Sequence, residues 1–448
     1  MSIFSSFWSE AKPCLKLALP LAAAQLSEGA INWIDTIMMG WLGSQTLAAG
    51  ALGTGTFLAC NLVGTGLMAA VGSFAAIAFG AGRQSQLYQT TSAGLWLTVG
   101  FSLPIMVLLG NMSPLLLQLG QAETNVILAQ SYFNAILWGF PAAIGFTMLK
   151  NITSAVNQPR IIMLTMVGGI LINVVGNYVL MFGKFGFPRL ELAGLGWAST
   201  LAFWVKFLIV LFFIQFSPKF KPYHLLKRWY IPPLHTLREL LKVGIPSAVI
   251  FGVETGLFTC TTYIMGTLGT VALAAHLIAL QTAATTFMIP VGIAYATTMR
   301  VGHRWGERDG LGVRRAGFTG IVLGAMFMGC MSILFLSFPR SIVGLYLDLN
   351  DPENQAVIDS AIIFLKIAGL FQLVDGIQVI ANGALRGLKD TKMPLIIGLI
   401  AYWVIGLGSG YSLGILGQFG GIGLWWGLVL GLMTAAFAFT LRFHQQTQ

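Results

Sequence analysis

The chain has 448 residues, of which 56% are hydrophobic and only 9% are charged, and its mean hydropathy is +0.80. This composition excludes a soluble globular protein, whose surface carries many more charged residues. The formal net charge of +10 could indicate a nucleic-acid partner. The basic residues, however, are concentrated in alternate loops between apolar segments, which is the positive-inside pattern of a membrane protein and excludes nucleic-acid binding.

The basic residues also predict the orientation of the chain. Of the 25 Lys and Arg residues, we assign 20 to alternate loops and the termini, three to the opposite loops and two to the interior of spans. This asymmetry predicts a multi-pass protein of a bacterial inner (plasma) membrane with both termini in the cytoplasm. The three opposite residues are Lys184, Arg189 and Arg340, and the two interior ones are Lys206 and Lys366.

Apolar stretches with few or no charges recur along the chain, and a bilayer crossing takes about 20 apolar residues as a helix. Gly and Pro mark the turns between these stretches. We therefore predict an all-α integral membrane protein with twelve transmembrane helices. Their predicted ranges are 14–40, 46–80, 92–118, 128–155, 160–184, 192–216, 240–266, 271–303, 314–338, 355–386, 392–412 and 420–442.

The two halves of the chain repeat each other at a constant offset of 226 residues. The segment GWLGSQTLAA at 40–49 returns as GTLGTVALAA at 266–275, with six of ten positions identical. Six helices per half is an even number, so the repeats are parallel and form two pseudo-symmetric six-helix bundles with a cleft between them. The predicted domains are a first lobe at 1–216, a basic cytoplasmic linker at 217–238 and a second lobe at 239–448.

Four acidic residues lie inside predicted spans, where each costs about 2.5–3.5 kcal/mol at mid-bilayer. They are Glu28, Asp35, Glu254 and Asp375. Glu28 and Asp35 are seven residues apart and share one face of the first helix. We predict that the acids line a hydrated cleft between the lobes, where they bind Na⁺ or H⁺ and attract cationic substrates. An interfacial position, or pairing with Lys206 or Lys366, is the alternative for any one of them.

Further polar and aromatic residues lie near these acids in the helical register. Asn173 and Asn177 form an i, i+4 pair, and Asp375 belongs to a polar stripe on the tenth helix. Aromatic faces attract organic cations. We predict that the substrate cavity is lined by Glu28, Asn173, Asn177, Phe371, Gln372, Gln378 and Asn382.

No catalytic or metal-binding pattern is present in the sequence. The four cysteines show no CxxC spacing, and His276 is the only histidine well inside a predicted span. We expect no enzyme activity, no cofactor and no metal beyond a possible Na⁺ at Glu254 and Asp375. The expected partners are small cationic molecules and the lipid bilayer, and the chain is expected to be a monomer.

Five segments in matching order resemble the multidrug and toxic compound extrusion (MATE) family, and most closely its NorM-like branch. The likeness covers essentially the whole chain. The segments are INWIDTIMMGWLG at 31–43, NVVGNYVLMFGKFG at 173–186, FGVETGLFTCTTYIMG at 251–266, MIPVGIAYATTMRVG at 288–302 and FQLVDGIQVIANGALRGLKDTKMP at 371–394.

The resemblance implies a two-lobed exporter that exchanges Na⁺ or H⁺ for cationic drugs. By the matching motifs, Glu254 and Asp375 take the positions of the family's cation-binding acids, and Asp35 takes that of the acid on the first helix. Asn177 takes a fifth-helix position that is Asn in NorM-like members and Asp in the DinF-like branch. One departure is Phe371, because NorM-like proteins often carry a Tyr there, whose hydroxyl this chain lacks.

Three other classes of membrane protein are alternatives to the antiporter. A lipid-linked oligosaccharide flippase of the same superfamily would need basic residues in the cleft for a pyrophosphate, and a membrane-embedded enzyme would need a nucleophile and a base at one depth. A major-facilitator transporter would carry a basic loop after its second helix. That loop here reads GAGRQSQLYQ and contains one Arg.

Overall fold

The structure, a computed structural model, describes residues 3–223, 225 and 232–448, with side chains from residue 7 onward. Within these residues every long regular element is a helix. The twelve long helices are α1 (Ile3–Trp41), α2 (Ser44–Gly80), α3 (Gln84–Gly110), α4 (Glu123–Ala155), α5 (Arg160–Phe182), α6 (Glu191–Phe216), α7 (Leu234–Thr267), α8 (Thr270–Gly306), α9 (Gly310–Ser337), α10 (Pro352–Gly387), α11 (Lys392–Leu416) and α12 (Gly420–Gln446). Short helical segments at Met112–Gln118, Lys221–Tyr223 and Pro339–Val343 lie between them.

The twelve helices confirm the predicted fold class. Among the described residues, eleven helices, α2 to α12, are long and apolar enough to span a membrane, and α1 has 39 residues. Several ends differ from prediction, because a helix can continue past the apolar run that identifies it. Helix α3 begins at Gln84 rather than residue 92, and α11 ends at Leu416 rather than 412. In the predicted linker, Lys227, Arg228, Trp229 and Tyr230 lie outside the described residues.

Helix α11 departs from regular α-helical geometry in two places. It is π-helical over Leu399–Leu407 and again over Ser412–Leu416. A π-helical turn is wider than an α-helical turn and rotates the side chains that follow it, and such turns are frequent at functional sites. The first of these segments carries Tyr402, which is fully buried.

The chain divides into two compact units, and the first helix of each repeat contributes to both. Unit 1 contains Met1–Ala22 and Val249–Gln448, and unit 2 contains Ala23–Ala248. The chain therefore changes unit after Ala22 and again after Ala248, at positions 226 residues apart. This spacing equals the offset of the sequence repeat, so the N-terminal ends of α1 and α7 are exchanged in the same way.

A pair of repeat-related glycines accommodates the exchanged helix ends. In unit 2, a Cβ atom added to Gly66 of α2 would lie 2.5 Å from the Cα atom of Ala248. In unit 1, a Cβ atom added to Gly292 of α8 would lie 2.5 Å from the backbone nitrogen of Ala22. Real Cβ atoms do not approach backbone atoms so closely, so both contacts require glycine.

An ionic cluster holds the exchanged end of α1 in unit 1. Glu10 of α1 is only 3% exposed and accepts hydrogen bonds from Arg300 Nη2 at 2.6 Å and from Arg304 Nε at 2.8 Å, both on α8. The repeat-related positions in unit 2 are Thr236, Phe74 and Ala78, which carry no charge. These ion pairs in unit 1 therefore have no counterpart at the repeat-related positions of unit 2.

Candidate functional site

In unit 1, two of the predicted acids are joined through a single side-chain amide. Gln378 of α10 donates a hydrogen bond from Nε2 to Glu254 Oε1 of α7 at 2.7 Å, and a longer one to Asp375 Oδ1 at 3.3 Å. Asp375 and Gln378 are buried, and Glu254 is partly buried. The structure thus brings Glu254 and Asp375, predicted as cation-binding acids, together with Gln378, predicted as a cavity residue.

A tyrosine that the sequence analysis did not select orients this amide. Tyr402, in the first π-helical segment of α11, donates its hydroxyl hydrogen to Gln378 Oε1 at 2.8 Å. Because Oε1 accepts this bond, Nε2 is left to donate to the two carboxylates. The hydroxyl group that Phe371 lacks is therefore present in the cluster from another helix. The sequence did contain a signal for this residue, because Tyr402 lies inside a predicted apolar span and a buried tyrosine hydroxyl usually finds a hydrogen-bond partner.

Aromatic rings cover the preceding turn of α10. The ring centroid of Phe371 lies 6.0 Å from that of Phe258 and 5.8 Å from that of Trp425, and both pairs are edge-to-face. Gln372 is fully buried and accepts a short hydrogen bond from Thr286 Oγ1 of α8. Phe371 and Gln372 therefore lie in the packed interior of unit 1, one turn before Asp375.

Two further side chains of α10 are buried in the same unit. Asn382, a predicted cavity residue, is buried, but among the described residues no side-chain hydrogen bond joins it to either carboxylate. Arg386 is also buried, although the count of basic residues had placed it by elimination with the loop and terminal residues. The helix is 36 residues long, so nearness to its end in the sequence does not place a residue in water.

In unit 2, the third predicted acid is held by the asparagine pair of α5. Asn177 donates a hydrogen bond from Nδ2 to Asp35 Oδ1 of α1 at 2.6 Å, and another to Asn173 Oδ1 at 3.3 Å. All three side chains are buried. The i, i+4 spacing of the two asparagines thus places their amides together beside Asp35.

A cavity of about 310 Å³ opens beside Asp35 within unit 2. Its polar wall includes Glu28, Asp35, Asn173 and Lys206, and its aromatic wall includes Tyr132, Phe57 and Phe203. Glu28 is partly buried and also lines a smaller adjoining space of about 20 Å³. The predicted cavity residues Glu28 and Asn173 line this cavity. Asn177 does not line it but donates a hydrogen bond to Asp35, which does.

The unit 2 cavity carries positive as well as negative charge. Lys206 of α6 is 5% exposed, and its Nζ atom lies 4.7 Å from the ring centroid of Phe203 and within electrostatic range of Glu28 and Asp35. Lys150 of α4 is buried and lines the smaller adjoining space. Lys150 had been counted by elimination with the loop and terminal residues, but it lies inside α4, within the predicted range 128–155.

Neither group forms a conventional metal centre. Across residues 3–223, 225 and 232–448, no three His, Cys, Asp or Glu side chains are placed together to hold a metal ion. The polar atoms of both groups are mainly carboxylate, amide and hydroxyl oxygens, which are the ligands of hard cations.

Buried acidic residues inside bundles of membrane-length helices are typical of membrane proteins that move ions or substrates. A family model described as MatE matches residues 20–179 and 246–412. The chain belongs to the MATE family, as its motifs indicated, and membership of a transporter family confirms that it is not an enzyme. The helices and the bacterial relatives below confirm a multi-pass inner-membrane protein that works in a lipid bilayer.

Individual relatives agree with this assignment. A probable multidrug resistance protein NorM of Synechococcus sp. is 42% identical, over 98% of this chain and 95% of the relative. The multidrug resistance protein NorM of Burkholderia vietnamiensis is 37% identical, over 96% of this chain and 93% of the relative. A crystal structure of a MATE in complex with MaL6 has a TM-score of 0.89 at 21% identity, covering 98% of this chain and 96% of that one. The eukaryotic MATE transporter AtDTX14 has a TM-score of 0.86 at 21% identity, covering 99% and 98%.

Proposed function

We propose that this chain is a cation-coupled antiporter that exports cationic or amphipathic drugs, driven by Na⁺ or H⁺. The observation that carries the proposal is the pair of carboxylates, Glu254 and Asp375, that share the amide of Gln378 in the apolar interior of unit 1. Relatives named for multidrug resistance support the drug substrates.

The acid pair suits reversible binding of a cation. Two carboxylates close together in a low-dielectric interior repel each other, so adding one positive charge between them is strongly favourable. One amide hydrogen atom for each carboxylate leaves most of their oxygen lone pairs free for a cation or a proton. We therefore assign the coupling ion to Glu254 and Asp375, with Tyr402 and Gln378 as supporting groups. No other cofactor is needed in this mechanism.

Coupling requires that the ion bind the two transport conformations with different affinities. A ligand shifts a conformational equilibrium only by its differential affinity for the two states. We propose that a cation arriving from outside favours the state that releases drug outward, and that drug binding reciprocally weakens cation binding. Alternating access of this kind fits a monomer with both termini in the cytoplasm.

The unit 2 cavity is our candidate for part of the drug site. Its volume of about 310 Å³ is at the lower end of the range for small-molecule pockets. It combines the carboxylates of Glu28 and Asp35 with the ring of Phe203, a set that attracts organic cations. Asp35 serves as a second cation-binding acid, and Asn173 and Asn177 fix its position. A substrate path shared with Phe371, Gln372, Gln378 and Asn382 of unit 1 stays a prediction.

Ethidium efflux from cells tests the proposal. Glu254→Gln and Asp375→Asn keep the size of each side chain and remove its charge, and each is expected to abolish efflux while the protein remains in the membrane. Asp359→Asn is the matched control, because Asp359 lies on α10 but is exposed. Normal efflux by both acid variants, at wild-type abundance, would overturn the proposed mechanism.

A further inference from the structure

Arg386 is a buried cation that neither the fold nor the hydrogen bonds of unit 1 explain. It lies on α10 with only 4% of its surface exposed. Its Nε and Nη1 atoms are buried and have no hydrogen-bond partner. Burying a guanidinium group with unsatisfied donors is costly, so a favourable interaction of another kind must hold it there.

Two aromatic rings and one carboxylate supply that interaction. The guanidinium carbon lies 5.4 Å from the ring centroid of Phe251 on α7 and 6.0 Å from that of Tyr295 on α8. Phe251 precedes Glu254 by three residues, so both lie on one face of α7, one turn apart. Arg386 accordingly interacts electrostatically with Glu254. The positive charge thus lies beside the turn of α7 that precedes Glu254, and it forms no salt bridge to that carboxylate.

The charge of Arg386 is permanent, because an arginine side chain does not lose its proton in a protein. With both carboxylates ionised, the group formed by Glu254, Asp375 and Arg386 carries two negative charges and one positive charge. The net charge of the group is therefore −1. Binding a single monovalent cation brings the group to neutrality, whereas a divalent cation would leave a net positive charge in an apolar interior.

We propose that Arg386 sets the cation capacity of the acid pair, so that Glu254 and Asp375 accept one monovalent charge and reject divalent cations. This inference rests on the proposed cation site. Arg386 would then determine cation selectivity through the electrostatic field of its guanidinium group rather than by contact with the ion. A purely structural role, as filler between α7 and α8, would need the volume and the apolar stem of the side chain but not its charge.

The response of purified protein to Ca²⁺ separates these roles. Thermal unfolding midpoints in detergent are measured against CaCl₂ concentration at constant ionic strength. Arg386→Met keeps the length and removes the charge, and is expected to gain a saturable Ca²⁺ stabilisation with a half-saturating concentration at least about tenfold below any wild-type response. Arg386→Gln provides a second neutral variant. Arg386→Lys keeps the charge and is expected to match the wild type.

Two controls complete the experiment. Arg442→Met removes a charge that pairs with Asp390 at 2.9 Å, and is expected to leave the Ca²⁺ response unchanged. Adding Glu254→Gln to Arg386→Met is expected to remove the gained response. Folded neutral variants without a Ca²⁺ gain, an equal gain in Arg386→Lys, or a gain that survives Glu254→Gln would each overturn the inference. Failure of the proposed cation site itself is recognised separately, by normal ethidium efflux in Glu254→Gln and Asp375→Asn.

Discussion

The buried acidic residues of the two units have different hydrogen-bond partners and different charges around them. In unit 1, Glu254 and Asp375 share one amide, and with both carboxylates ionised the positive charge of Arg386 leaves these three residues with a net charge of −1. In unit 2, Glu28 and Asp35 face Lys206, with Lys150 close by, so with all four side chains ionised two negative and two positive charges sum to zero. One monovalent cation would therefore neutralise the acid group of unit 1, whereas the unit 2 cavity presents both signs of charge.

The difference separates two tasks that the sequence analysis had given to one set of acids. A packed group with a net negative charge suits a small inorganic cation, because its oxygens are close together. A cavity of about 310 Å³ with aromatic walls suits an organic molecule. Three of the described Lys and Arg residues, Lys150, Lys206 and Arg386, are buried, which is more than the sequence analysis placed inside spans. Basic residues were also what a flippase for a pyrophosphate-linked cargo was expected to need, so their number alone does not separate the two classes.

The largest expected effect comes from breaking the shared amide of unit 1. Gln378→Leu leaves both carboxylates and the Tyr402 hydroxyl without their partner, and each buried group left unsatisfied costs about 1–3 kcal/mol. We expect efflux to fall by more than about tenfold and the unfolding midpoint to drop. Gln281→Leu, at an exposed position of α8, is the control and is expected to retain efflux. Near-normal efflux in Gln378→Leu would show that the amide is dispensable.

The exchanged helix ends offer a test in which the two units are expected to agree. Gly66→Ala and Gly292→Ala each force a methyl group into backbone, and overpacking of this kind costs about 1–3 kcal/mol. We expect similar losses of thermal stability in both variants. Gly100→Ala and Gly329→Ala have open space around the added Cβ atom and are the matched controls. Losses in only one unit would contradict the equivalence of the two contacts.

Lys206→Met is expected to change drug selectivity rather than abolish transport. Removing the positive charge makes the unit 2 cavity more negative, so affinity for a monocationic drug rises several-fold while affinity for a drug with a carboxylate falls. Binding is measured by fluorescence titration with ethidium and with a carboxylate-bearing dye of similar size. Lys184→Met, outside the cavity, is the control. Equal changes for both ligands would indicate a packing effect instead.

The smallest expected effect is that of Tyr402→Phe. The variant removes one hydrogen bond to Gln378 Oε1, and a typical bond of this kind contributes about 0.5–1.5 kcal/mol. We expect a few-fold rise in the cation concentration needed for half-maximal efflux, with little change in maximal rate. Tyr411→Phe, on the same helix at a partly exposed position, is the control. A loss as large as that of Gln378→Leu would mean that the hydroxyl itself is a ligand.

The sequence predicted most of the fold because its signals are strong and local. Twelve apolar runs and a repeat at a fixed offset identify the helices and their order without any knowledge of contacts. The exchange of the ends of α1 and α7 was not predictable in this way, because it depends on which unit each end packs against. Gly66 and Gly292 were visible as equivalent positions, but their common role emerged only from Ala248 and Ala22.

The candidate site was predicted unevenly for a similar reason. Acids such as Glu254 and Asp375 are conspicuous in an apolar sequence, because the free-energy cost of placing a carboxylate inside the bilayer indicates a functional role. Arg386 and Lys150 were missed because a basic residue near a helix end is the ordinary marker of the cytoplasmic side, and depth is not encoded in sequence position. Tyr402 was missed because a single tyrosine in an apolar run is unremarkable until its hydroxyl partner is known.

Ion-driven drug transport in proteoliposomes tests the central claim most directly. Wild-type protein and the Glu254→Gln, Asp375→Asn double variant are reconstituted, and drug movement is followed under an imposed Na⁺ gradient and then under a pH gradient. We predict that one of the two gradients drives transport by the wild type and that neither drives it in the double variant. Gradient-driven transport that persists in the double variant would contradict the assignment of the coupling ion to unit 1.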